Sequence, residues 1–339
     1  MPKQKHILVI RLSAMGDVAI SVPVLRAFTT QNPEVKLTVL TRGFFVPLFN
    51  GIKNVSFFNA DLKGVHKGVI GLYKLSNKLK KLGITEVADL HNVLRTKILK
   101  LFFFGKTFKQ IDKGRAEKKA LISGEKFEQL KSSHERYADV FRALGYKVDL
   151  SEPTFPKPQL WPESFPQEFI TKKRIIGVAP FAQYESKMYP LEQMQIVIDQ
   201  LSKDYVVLLF GGGDTEKNAL EEIAKNKPNC LNVVGEFSFA EELAIISNLD
   251  LMLSMDSGNG HLAAMFGVQV VTIWGNTHPY AGFRPFNQPE NYQLTPDRNQ
   301  FPLIPTSIYG NKTPENYTTV SGTILPETIV DTINTILRD

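Results

Sequence analysis

An apolar strand that breaks into a glycine-bearing polar turn and at once enters a short helix commits a chain to a layered α/β fold. Residues 249–267 read that way. The run Leu249-Asp250-Leu251-Met252-Leu253 has the length of a buried strand. Ser254-Met255-Asp256-Ser257-Gly258-Asn259-Gly260-His261 follows, then a small-residue helix that Gly267 can close at its C′ position. The first N–H groups of a helix have no internal partners and carry the positive end of its dipole, so such a turn suits an anion. Gly258 and Gly260 let a ligand approach the backbone, while Asp256 and His261 add an acceptor and a ring donor. The combination fits a sugar phosphate or nucleotide sugar. Plain helix capping by Asp256 or Ser257, with His261 a satisfied first-turn residue, explains the spacing equally well. A serine-hydrolase elbow is excluded, because Met255 stands where that turn needs glycine. Asp256, Ser257 and His261 are also too close in sequence for a triad.

The same alternation recurs along the chain. Strands are expected at 6–11, 36–41, 55–58 and 86–90, with helices from about residue 19 and near 43–49, 68–82, 92–104 and 134–144. Pro23 is acceptable only near the start of the first helix. A proline-bearing stretch, 153–173, reads as a linker between a domain at 1–152 and a second at 174–325, and a helix at 326–339 ends the chain. In the second series strands are expected at 175–179, 205–210, 231–234 and 268–274. Strands alternating with helices give a parallel sheet in each half. Asp17 follows the first strand in the turn Ser13-Ala14-Met15-Gly16-Asp17, at the carboxyl end of a strand, where open α/β sheets bind ligands. A capping role serves it as well. Gly211-Gly212-Gly213 lacks the third glycine of a dinucleotide fingerprint, and no P-loop occurs.

Charge divides the chain. Residues 1–150 carry 27 Lys and Arg against 12 Asp and Glu, and residues 151–339 carry 13 against 22. The basic half therefore faces an anionic partner or is a lysine-rich solvated surface. The 68–82 helix, with Val69, Leu72, Tyr73, Leu75, Leu79 and Leu82 on one side and lysines largely on the other, reads first as an ordinary surface helix and second as a membrane-facing one. Leu101-Phe102-Phe103-Phe104 reads as core in preference to a lipid contact. The single cysteine, Cys230, and the absence of a signal-like N-terminus or an apolar run of about 18 residues point to the cytoplasm. Six histidines without paired ligand spacing predict no metal.

Taken together, Ser13-Ala14-Met15-Gly16-Asp17-Val18, Lys187 with Pro190, and Asp256-Ser257-Gly258-x-x-His261 resemble glycosyltransferase family 9, the ADP-heptose:lipopolysaccharide heptosyltransferases. The family usually shows Lys-x-Trp-Pro where this chain has Lys187-Met188-Tyr189-Pro190. The resemblance implies a GT-B type α/β fold: two Rossmann-like domains facing a central cleft, with the last helix crossing back to the first. It implies inverting transfer of a sugar, heptose from ADP-heptose, without metal or cofactor. Asp17 would be the base, and Ser13, Met15 and Gly16 would line the acceptor side. Lys187, Glu216, Asp256, Ser257, Gly258 and His261 would hold the donor. The acceptor would be an anionic lipid A carrying Kdo sugars, met by a peripheral contact at the cytoplasmic face of the inner membrane; no nucleic acid is involved. A nucleotide-sugar-binding protein without catalysis and a GT-B epimerase are the alternatives. Retention of Asp17 and Lys187 speaks against the first, and an epimerase needs no basic acceptor domain.

Overall fold

The first strand, β1 (His6–Ile10), is apolar from Ile7 on and buried along its whole length, as a central parallel strand must be. The computed structural model describes residues 5–170 and 173–338. The chain divides into two compact units. One runs to Lys113 and resumes over Ser133–Thr154; the other comprises Gly114–Ser132 and the chain from Phe155 on.

In the first unit α1 (Met15–Gln31) follows β1, then come β2 (Lys36–Thr41), a 3₁₀ segment at Gly43–Phe49, and β3 (Val55–Asn59). Next are α2 (Gly68–Lys80), β4 (Glu86–Asp89), α3 (Leu94–Phe102) and β5 (Thr107–Gln110). The all-parallel sheet has the order β3-β2-β1-β4-β5. The order reverses between β1 and β4, so the loops leaving their carboxyl ends splay apart and leave a crevice there. α2 and α3 pack through Leu72, Leu75, Leu79, Leu99 and Phe103 on a core that includes Leu8 and Ile10. Two expectations fail here. α1 begins at Met15 rather than near residue 19, so Pro23 lies deep inside it; burial of both faces outweighs the missing hydrogen bond. Leu101 and Phe104 are exposed while Phe103 is buried, because one side of a surface helix can meet the core and the residues flanking Phe103 point elsewhere.

Two helices lie between β5 and the second sheet: α4 (Arg115–Ser123), and α5 (Ser133–Arg142), which packs on α1. The second unit then runs β6 (Ile175–Ala179), α6 (Leu191–Asp204), β7 (Val206–Leu209), α7 (Gly213–Ala224), β8 (Cys230–Asn232) and α8 (Phe239–Ile246). It continues with β9 (Leu251–Met255), α9 (Gly258–Ala264), β10 (Gln269–Ile273), a two-residue β11 (Gln293–Leu294) and α10 (Pro326–Arg338). The parallel order is β11-β10-β9-β6-β7-β8, which reverses between β6 and β9 as the first sheet does between β1 and β4.

The domain bounds read from sequence shift accordingly. α4 and the segment after it belong with the second unit: Leu121 and Leu130 share a cluster with Ala281 and Ile308, and the Leu130 N–H donates to the Tyr280 carbonyl at 2.9 Å. Residues 171 and 172 of the expected linker lie outside the described residues. The last helix was expected to cross back to the first domain. Its buried Ile329, Val330, Ile333 and Ile336 lie in the second unit's core, with α10 packed on α6. Among the described residues no helix is long and apolar enough to cross a membrane.

Candidate functional site

At the reversal point of the first sheet, the turn after β1 and the turn after β4 meet. Asp17 is the third residue of α1, and its Oδ2 accepts the Ala14 N–H at 3.4 Å, so part of the capping reading holds. The same carboxylate is ion-paired with Arg11. Arg11 is 5% exposed, donates to the Leu90 carbonyl at 2.8 Å, and lies 5.7 Å from the centroid of the Tyr137 ring. Its guanidinium therefore ties the β1 turn to the β4 turn and fixes the direction of the Asp17 carboxylate, which keeps about a third of its surface open. Ser13, Met15 and Gly16 are partly exposed beside it.

His91 completes this cluster. Its Nδ1 lies 3.3 Å from the Leu12 N–H and accepts from it, which leaves the ring proton on Nε2. Burial, then the charge of Arg11, pulls its pKa down to about 4, so the ring is neutral near pH 7. The turn itself is held by Asp89, fully buried, whose Oδ1 accepts the N–H groups of His91 and Asn92, both at 2.9 Å. Arg11 and His91 were missed in the sequence. A charged residue ending the apolar run Ile7–Ile10 was the available sign for Arg11.

At the reversal point of the second sheet, Lys187 ends a short 3₁₀ turn, Glu185–Lys187, in the loop after β6. Gly310, at φ +79°, leaves room for the lysine stem: a Cβ there would come within 2.6 Å of Lys187 Cγ and Cδ. The ammonium lies 2.9 Å from Oδ2 of Asp256, which also accepts from the Thr277 hydroxyl at 2.8 Å. Lys187, Asp256 and Thr277 thus come from three separate loops. Ser257 is the N-cap of α9 by its backbone, but its hydroxyl makes no cap bond; Oγ is buried with no partner among the described residues. Simple side-chain capping by Ser257 is therefore not what this turn does. Gly258 opens α9, and His261 is buried in its first turn. Gly260 is closely packed, since a Cβ there would come within 2.6 Å of Ser254 Oγ and the hydroxyl would have to turn aside.

Glu216 stands apart from this pair, after β7. Its Oε2 accepts the Gly212 N–H at 2.7 Å and so braces the glycine turn at the start of α7. Tyr189, where tryptophan was the expected residue, is buried and its hydroxyl donates to the Ile324 carbonyl at 2.6 Å. A cavity of about 330 Å³ adjoins the Lys187 turn, walled by Phe181, Met188, Tyr189, Leu191, Thr318 and Thr319 among others.

Residues 72–302 match the family model for glycosyltransferase family 9 (heptosyltransferase). The lipopolysaccharide core heptosyltransferase OpsX of Haemophilus influenzae is 25% identical over 302 residues, 85% of this chain and 83% of that protein. Two solved structures share the fold over nearly the full length of both chains. The glycosyl transferase family 9 protein of Veillonella parvula DSM 2008 has a TM-score of 0.76 at 19% identity, covering 100% of this chain and 98% of that one. The E. coli ADP-heptose lps heptosyltransferase II has a TM-score of 0.67 at 21% identity, with 98% of each chain covered. The family model spans well over half of the chain, and two Rossmann-type sheets of GT-B kind carry charged residues at both reversal points: this chain belongs to glycosyltransferase family 9 and is a glycosyltransferase.

Proposed function

We propose that the chain transfers a heptose from ADP-heptose to an anionic, lipid-borne acceptor of the lipopolysaccharide inner core, of the lipid A–Kdo type, at the cytoplasmic face of the membrane. The relative OpsX and the E. coli enzyme carry that sugar chemistry in their names. The observation that carries the reading is the Lys187–Asp256 pair at the reversal point of the second sheet, beside the open turn of α9.

An ammonium has three N–H donors. Asp256 takes one, which leaves two for the oxygens of a diphosphate, and the unpartnered Ser257 hydroxyl and the α9 amides add further donors. Glu216 would accept from the donor's ribose, and His261 would hold its sugar or phosphate. On the first unit, Asp17 takes the proton of the acceptor hydroxyl as that oxygen forms its bond to the anomeric carbon. The bond from that carbon to the phosphate oxygen breaks on the opposite face, its electron pair stays on the departing ADP, and the configuration inverts. Lys187 stabilises the negative charge that grows on the diphosphate, the work a metal does in other transferases. Arg11 holds the Asp17 carboxylate, and Ser13, Met15 and Gly16 shape the floor on which the acceptor rests.

The test is incubation of the purified chain with ADP-heptose and a Kdo-bearing lipid A acceptor. Release of ADP together with a mass gain of one heptosyl group on the acceptor is the expected result. Release of ADP without a gain on the acceptor would make the chain a donor hydrolase, and a preference for UDP- or GDP-sugars would overturn the donor.

A further inference from the structure

The first unit carries an apolar surface that stays exposed among the described residues. On α2, Val69, Ile70 and Tyr73 lie outward, Ile70 with 74% of its surface exposed. On α3 and just beyond it, Leu94, Leu101 and Phe104 do the same, Leu101 at 74% and Phe104 at 96%. The two groups are neighbours. The Tyr73 ring meets the Phe102 ring edge-on with centroids 5.5 Å apart, Phe102 sits between Leu101 and Phe104, and Leu94 is two helical turns before Leu101 on the same side. Beneath them Leu72, Leu75, Leu79, Leu99 and Phe103 hold both helices to the sheet, so the outward residues are surplus to the core.

The charge carried by the two stretches that form this face has one sign. Residues 62–85 contain six lysines, residues 90–111 contain one arginine and four lysines, and neither stretch contains an acidic residue. Lys63, Lys67, Lys74, Arg95, Lys97 and Lys100 are all exposed. Large apolar side chains on a surface mark an interaction site, and a rim of cations around them selects an anionic partner. A protein partner would be expected to meet some rim charges of opposite sign on this chain, and there are none in these stretches. A bilayer interface accepts apolar side chains into its acyl boundary, lets lysine stems lie along it, and presents uniform negative charge to their heads.

We propose that the joined outer face of α2 and α3 is a docking surface for an anionic lipid bilayer, with Ile70, Leu101 and Phe104 entering the acyl boundary and the surrounding lysines resting on the headgroups. It rests on the reading above for its purpose, since an enzyme acting on a lipid-borne acceptor gains by being held at the lipid surface. Its physical content is separate from that reading.

The experiment is flotation of the full chain with vesicles of phosphatidylethanolamine and phosphatidylglycerol, and with vesicles of phosphatidylcholine alone. The chain should bind the anionic vesicles at low salt, bind the neutral ones weakly, and lose binding as salt rises beyond the point where charges more than ~10 Å apart are screened. The variant Ile70→Ser/Leu101→Ser/Phe104→Ser, changed only at exposed positions, should partition about tenfold less or worse. Lys67→Gln/Lys74→Gln/Lys97→Gln should flatten the salt dependence. Near-ultraviolet circular dichroism checks that both variants are folded. A wild-type chain that ignores anionic vesicles at low salt, or a serine variant that binds them unchanged, overturns the proposal. So does a wild-type dimer in sedimentation that the serine variant converts to monomer, because the face would then cover a second copy. Heptosyl transfer to a delipidated, water-soluble acceptor should be retained in the serine variant. If the wild type binds vesicles but transfers nothing to either acceptor, the functional reading fails and the docking surface stands.

Discussion

The ammonium of Lys187 and the carboxylate of Asp256 lie 2.9 Å apart, with both side chains largely buried, so neither can be changed without stranding the other. If Lys187 binds the donor diphosphate as proposed, Lys187→Ala removes a charge-assisted contact of a kind that contributes about 1.5–3 kcal/mol, and donor affinity should fall tenfold or more. It also leaves the Asp256 carboxylate without its cation, so the variant should unfold at lower urea than the wild type. Adding Asp256→Asn relieves that second defect but not the first. Calorimetric titration with ADP and urea unfolding on the two single variants and the double variant make the cycle complete. Recovery of donor affinity in the double variant would show that Lys187 serves the fold rather than the diphosphate.

Asp17→Asn tests the base. Asparagine can still accept the Ala14 N–H through its amide oxygen but is a poor proton acceptor, so turnover should fall by about 100-fold or more while binding of ADP by the second unit is kept. The helix start alone would predict a small loss of about 0.3–1 kcal/mol, from removing a negative charge in the first turn. The Arg11 pair changes that expectation, because a guanidinium that is 5% exposed loses its countercharge. The melting temperature should therefore drop as well. Arg11→Met removes the buried charge, and Arg11→Met/Asp17→Asn should melt above Asp17→Asn. Near-normal turnover in folded Asp17→Asn would assign the proton to another group.

The alternation of apolar runs and helical stretches made both parallel sheets legible, since a buried parallel strand such as Leu251–Met255 writes its environment into five consecutive residues. Asp17 and Asp256 were legible as candidates because each closely follows a strand, while Lys187 stood out only through the family resemblance. What joins them was not. Arg11 reaches the β4 turn 79 residues away, Thr277 reaches Asp256 across 21, and no local pattern encodes either contact. The Gly114–Ser132 segment was misplaced for a related reason. Its run of basic residues continued the charge of the first half, whereas its position is set by Leu121 and Leu130 packing on loops more than 150 residues later, and by Lys118 lying 4.2 Å from the Phe283 ring centroid. Leu101 and Phe104 show the limit of composition: four apolar residues in a row say nothing about which of them face outward.

Tyr189 supports the loop that carries Lys187. Burial, then the charge of Glu327, raises its hydroxyl to about 12, so it stays a donor to the Ile324 carbonyl throughout the physiological range. Tyr189→Phe keeps the ring and leaves that carbonyl unpaired, which costs about 1–3 kcal/mol. Urea unfolding should show a lower midpoint at unchanged slope, with ADP affinity reduced less than by Lys187→Ala. A larger loss of ADP affinity than of stability would mean that the hydroxyl touches the donor.

Acid should destabilise the fold through its neutral histidines. Burial, then Arg11, lowers His91 to about 4, and burial, then Arg298, lowers His278 to about 4, from an ordinary 6.5. A depressed histidine contributes stability that is complete above the unfolded value and is lost as pH falls through the window from 6.5 to 4, because the unfolded chain takes up the proton first. Burial acts oppositely on Glu242, raising its carboxyl from 4.5 to about 7, so its protonated form favours the native state below 4.5 and that contribution is lost as pH rises to 7. Between pH 6.5 and 4.5 these two histidines outnumber the one glutamate, and one net proton corresponds to about 1.4 kcal/mol per pH unit. Partial exposure of His91 and Glu242 reduces the slope, and a loss of roughly 1–2 kcal/mol from pH 6.5 to 5 is expected in urea unfolding. His278→Asn, which can still accept the Tyr280 N–H now bound to the ring, should make the fall shallower. Glu242→Gln removes the opposing group and should make it steeper. A wild-type midpoint that rises on acidification, or a Glu242→Gln profile shallower than the wild type, would show that the carboxyl and not the histidines governs the acid limb.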